Sequence, residues 1–147
     1  SRMPSGNPNP RAPGTLALRT MALLAVAFGL LTLKEGGSVL FGSDAARAAA
    51  GAYVPFVLWF NFGAGFAYVV AGLGMGLRQR WAAPLAALIA AATALTFAAL
   101  GVHIAQGGAF EMRTVAAMAL RTTVWAVLAW LAFRHLGRQH SPDLLSK

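Results

Sequence analysis

The chain is 147 residues long, carries a formal net charge of +8, is 58% hydrophobic and contains no cysteine. The missing thiols exclude disulfides, thiolate metal sites and thiol–disulfide relay chemistry. The apolar content exceeds that of ordinary soluble proteins, and the charge alone would suggest nucleic acid, until its distribution is considered.

Residues 1–14 hold four prolines with glycine, asparagine and arginine. They read as a flexible, basic, Pro-rich tail with no means of burying itself. Four apolar runs follow, at about 15–33, 54–77, 82–102 and 115–133. A bilayer core about 30 Å thick needs roughly 20 apolar residues in a helix, and each run meets or approaches that length. The expected fold is all-α: an integral membrane, up-down-up-down four-helix bundle over residues 15–136, with a cytoplasmic tail at 137–147. No room is left in it for a soluble catalytic domain. The first run exceeds a signal-peptide core, so it is expected to stay as an uncleaved helix.

Gly36 and Gly37 are expected to stop the first helix after Lys34-Glu35. Ser43 or Asp44 can then cap a short helix through the alanines to Ala50. Pro55 and Pro84 fall in the first turns of the second and third spans, where a missing N–H costs nothing. Gly65, Gly72 and Gly76 read as packing positions, since small residues let membrane helices approach closely. Arg78-Gln79-Arg80 makes a very short turn, so the spans on either side should be antiparallel neighbours.

With four spans, both termini lie on one side. That side then holds Arg2, Arg11, Arg19, Arg78, Arg80, Arg134, Arg138 and Lys147 against Asp143 alone. On the other side Lys34, Arg47 and Arg113 are cancelled by Glu35, Asp44 and Glu111. This is the positive-inside pattern. It places the termini in the cytoplasm of a cell inner (plasma) membrane and assigns the basic charge to topology and lipid headgroups, not nucleic acid.

Polar groups inside a membrane are costly and mark function or pairing. Asn61 and Arg121 lie about two turns inside their spans. Glu35, His103 and Glu111 close or precede spans at the same outer end. The periodicity aligns Asn61 with Gly65, Tyr68 and Gly72, and His103 with Thr96 and Ala99. It aligns Arg121 with Met118, Trp125 and Leu128. If these faces turn inward, Glu35, Asn61, His103, Glu111 and Arg121 converge on one outward-opening ligand pocket. Such a pocket could hold a quinone head, bind a metal through His103 and the carboxylates, or pass protons between His103 and a carboxylate. Equally, Arg121 could be a charge neutralised by Glu35 or Glu111, Asn61 interhelical glue, and His103 an interfacial residue. Haem would need a second histidine at matching depth, and His135 and His140 are expected on the opposite side.

Several stations resemble the DoxX-like family of small four-helix membrane proteins. Arg19 opens the first span and Lys34 closes it. Gly72 to Arg80 gives a Gly-rich end of the second span, running into Trp81-Ala82-Ala83. His103 followed by Gly107-Gly108 ends the third, and Glu111 precedes the fourth. The second span has Phe66-Ala67-Tyr68 where the family commonly carries a carboxylate. The resemblance implies an accessory membrane subunit beside redox proteins, in a quinone-linked complex, without enzymatic activity of its own. Two alternatives stand beside it: a structural or assembly subunit without chemistry, and a small oligomeric transporter. Expected partners are membrane lipids, other membrane or peripheral redox subunits, and further copies of the chain.

Overall fold

The computed structural model describes residues 13–136, with side chains from 15 onward. The expected tails at 1–14 and 137–147 lie outside those residues, apart from Pro13 and Gly14. The described residues form five helices: α1 (Pro13–Phe41), α2 (Asp44–Ala50), α3 (Pro55–Gly76), α4 (Ala82–Ala105) and α5 (Met112–Leu136). Four of them, all but α2, are long and apolar enough to cross a membrane. Helices suit that solvent because every backbone polar group is satisfied within the segment.

α1 corrects one expectation. It runs through Gly36 and Gly37 to Phe41, 29 residues in all. Gly36 is buried at α3, where an added Cβ would come within 3.3 Å of Phe62. The glycine is there for close approach, and helix continuation costs little when no Cβ has to fit.

The same device runs along the α1–α3 seam. A Cβ at Gly65 would lie 2.9 Å from Leu33, and one at Gly29 would lie 2.8 Å from the Gly65 carbonyl oxygen. Gly72 sits against Val26 and Ala25, and Gly76 against Ala22. Without water to expel, association between membrane helices rests on such van der Waals fit. α4 contributes Ala82, Ala83, Ala86, Ile89, Thr93 and Leu100 to the interior. The buried face of α4 is therefore not the expected Thr96–Ala99–His103 face, where Ala99 is exposed. α5 buries Met118, Arg121, Trp125 and Leu128, as its periodicity indicated.

The core has two parts. The larger is built on Leu18, Met21, Tyr68, Met75, Trp125 and Leu128, and a smaller one holds Val54, Val57, Leu100 and Met118. Tyr68 stacks near Trp125 at 4.9 Å and Phe28 at 5.3 Å between ring centroids.

The connections are closed by hydrogen bonds. α3 ends with the Gln79 N–H donating to the Gly74 carbonyl and Arg78 N–H to that of Met75. Arg78 takes the left-handed conformation this ending requires, φ +57°. Its guanidinium donates to Thr15 Oγ1 at 3.0 Å and so ties the end of α3 to the start of α1. α4 ends the same way on Gly107, φ +85°, with Gly108 N–H donating to the His103 carbonyl.

Gly65→Val is expected to destabilise the protein by about 1–3 kcal/mol, the usual cost of overpacking. Gly63→Ala and Gly101→Ala, where nothing lies within 4 Å of the new Cβ, should leave the melting temperature in detergent unchanged or raised. Equal effects at all three positions would contradict the seam described here.

Candidate ligand site

α2 lies over the end of the bundle, capped by Ser43 and tied to its neighbours by Arg47 and Arg113. Ser43 caps its N-terminus, its hydroxyl accepting from the Ala46 N–H at 3.2 Å. Arg47 donates to the carbonyls of Val39 (3.1 Å) and Gly42 (3.2 Å), satisfying the free carbonyls at the end of α1. Arg113, from the start of α5, donates to the carbonyls of Ala49 (3.2 Å) and Ala50 (3.3 Å) and so closes α2 from the other side.

Glu111 completes this latch. Its Oε2 accepts from the Ala52 N–H at 2.8 Å, and its Oε1 lies 3.9 Å from Arg113 Nη2. A carboxylate on a backbone N–H is one of the stronger hydrogen bonds available.

Beneath α2 lies a cavity of about 490 Å³. Glu35, Asn61, Glu111 and Arg121 all line it, with Thr32 and Arg113. Four of the five residues expected to converge therefore share one space. His103 is not among its lining residues. It turns back on its own loop, where Nε2–H donates to the Ala109 carbonyl at 2.9 Å and the ring meets Phe56 edge-on at 6.1 Å. The turn at Gly107 and Gly108 brings that carbonyl within reach. Among the described residues no three histidine, aspartate or glutamate side chains come together, so the cavity presents no metal-ligand set.

Arg121 forms the floor. It lies nine residues after Met112 and is only 8% exposed. Nη1 donates to Thr32 Oγ1 at 2.8 Å and to Tyr68 Oη at 3.3 Å. The guanidinium also sits over the Phe28 ring, 5.0 Å from its centroid, and 5.9 Å from that of Tyr68. Nε is buried and without a partner. No carboxylate among the described residues pairs with Arg121: the ion pairs there are Arg47–Asp44 and Arg113–Glu111. Neutralisation by Glu35 or Glu111 through direct pairing is thus replaced by neutral partners. Thr32 and Tyr68 were not picked out as site residues from the sequence. Thr32 was detectable as a hydroxyl amid the apolar residues of α1.

Asn61 adds a second unmatched group, because its buried Oδ1 has no hydrogen-bond partner. The three packing glycines, Gly65, Gly72 and Gly76, lie on the α1–α3 seam, and Gly65 and Gly72 fall on the same face as Asn61. Comparison with known proteins finds no matching family model, no matching curated protein and no matching solved structure.

If Glu111 latches α2, Glu111→Ala should raise hydrogen-exchange rates of the Ala46–Ala52 amides about tenfold, leaving α4 protected. That figure corresponds to one lost charge-assisted bond of about 1.4 kcal/mol. Unchanged exchange over α2 would remove Glu111 from that role.

Proposed function

We propose that this chain is an accessory membrane subunit whose cavity under α2 receives a small molecule through an oxygen-bearing group. The observation that carries this reading is Arg121, a buried guanidinium facing a cavity with donors left over. An intramembrane ionisable residue in a polar cavity is by default a functional one. Asn61 supports it with an unmatched acceptor on the same cavity wall.

In this reading the spans run up-down-up-down in the cell inner membrane. Both termini are cytoplasmic and α2 is on the outer face. Three features support that order: the Arg78–Thr15 bond at one end, the Glu111–Ala52 bond at the other, and the basic residues at the first end. Linkage to a quinone-dependent redox complex rests on the DoxX-like resemblance. A quinone head, whose carbonyl oxygens accept hydrogen bonds, is one ligand that the Arg121 guanidinium could hold. The chain is not assigned a reaction of its own.

Native mass spectrometry of the protein, extracted in mild detergent from its own membranes, is the test. The expected result is a larger assembly carrying a small bound mass that is lost in Asn61→Leu. A bare monomer without bound mass would contradict both parts. Companions without a bound mass would favour a purely structural subunit.

A further inference from the structure

Granted the reading of the cavity as a ligand site, we infer that its ligand is a small organic monoanion, a carboxylate, that docks on Arg121. Arginine stays protonated at any ordinary pH. Its partners here, Thr32, Tyr68 and the Phe28 ring, are neutral. They satisfy hydrogen bonds on Nη1 but return no charge. A charge left alone in low dielectric is costly, and the cost falls only when an opposite charge arrives. A neutral carbonyl cannot supply that term.

The free edge of the guanidinium fits a carboxylate. Nη1 is occupied, while Nε has no partner and none is seen for Nη2 among the described residues. Nε and Nη2 form one side of the planar fork, the arrangement that takes two carboxylate oxygens. Nε is buried, so a ligand entering the cavity meets Nη2 first.

The other charges in the walls limit the ligand to one negative charge. Glu111 and Arg113 face each other at the latch. Glu35 remains, exposed and one turn along α1 from Thr32, toward the mouth. Its carboxylate repels a multiply charged anion at the entrance, whereas a single charge can still gain at Arg121. Between them Val39, Val54, Val57 and Ala117 give the wall an apolar share beside Asn61 and Thr114. They favour an anion with an organic body over an inorganic one. The volume lies within the range of small-molecule sites. Glu35, Ser38, Glu111 and Arg113 at the open end suit entry from water.

The full chain in lipid nanodiscs can be titrated calorimetrically with benzoate, its neutral analogue benzamide, inorganic phosphate, and ubiquinone lacking its tail. Benzoate should bind at least tenfold more tightly than benzamide, phosphate or the quinone head. Arg121→Met should abolish the preference for benzoate over benzamide, and Arg121→Lys should weaken benzoate while keeping its order. Where Arg121→Met fails to fold, the wild-type comparison decides alone. Benzamide or the quinone head binding as tightly as benzoate overturns the anion inference and leaves the ligand site standing. Phosphate binding as tightly as benzoate overturns the organic body. Equal benzoate affinity in Arg121→Met also overturns the inference. No binding by any probe removes both the anion and the ligand site.

Discussion

A guanidinium cannot shed its proton, so a chain that buries Arg121 inside a membrane-spanning helix has to build around it. The hydroxyls of Thr32 on α1 and Tyr68 on α3 converge on Nη1, and Phe28 faces the cation from below. Three spans are thereby fixed in register about one atom group. Tyr68 also packs on Trp125, so the polar contact is continuous with the main core. Removing one partner of such a buried cluster costs more than the hydrogen bond itself, because the charge is then left with less.

Thr32 can reach Arg121 only because α1 and α3 approach closely. Gly29, Gly65 and Gly72 leave no side-chain thickness between these helices along much of their length. The continuation of α1 past Gly36 and Gly37 has a related consequence. It carries Ser38 and Val39 onto the cavity wall and hands the chain to α2 at the rim. The latch then uses charged side chains for two purposes at once. Arg47 and Arg113 satisfy free helix carbonyls, and Glu111 secures the following turn. Most of the charge at this end of the bundle is consumed in holding α2, which leaves Arg121 and Glu35 as the charged groups of the cavity without an ion-pair partner among the described residues.

The spans were legible because an apolar run of that length has few alternatives, and Arg121 and Asn61 stood out as polar residues where polarity is expensive. The end of the first span was not, because Gly36 obeys two rules. In water a glycine pair usually ends a helix, whereas in a membrane it often marks a contact. The buried face of α4 was equally hard to read. Its alanines differ little around the helix, so periodicity gave Thr96, Ala99 and His103 no real advantage over Ala86, Ile89 and Thr93. His103 followed the α4 pattern up to its last turn, but the loop after Gly107 offered it the Ala109 carbonyl. Arg113 does lie beside Glu111, as charge balance expects, but it also donates to the carbonyls that end α2. That assignment depends on where α2 folds back, which local sequence does not encode.

The state of the Arg121 guanidinium in a bilayer tests the account most directly. Solid-state NMR on arginine-labelled protein in phospholipid bilayers can measure the distance from its nitrogens to lipid phosphorus and its exchange with solvent deuterium. The account predicts a guanidinium remote from lipid phosphate, in contact with the Tyr68 and Phe28 rings and protected from exchange at Nε. A guanidinium close to lipid phosphorus, rotating freely and exchanging fast, would mean that Arg121 snorkels to the interface. The cavity would then lose its charged floor.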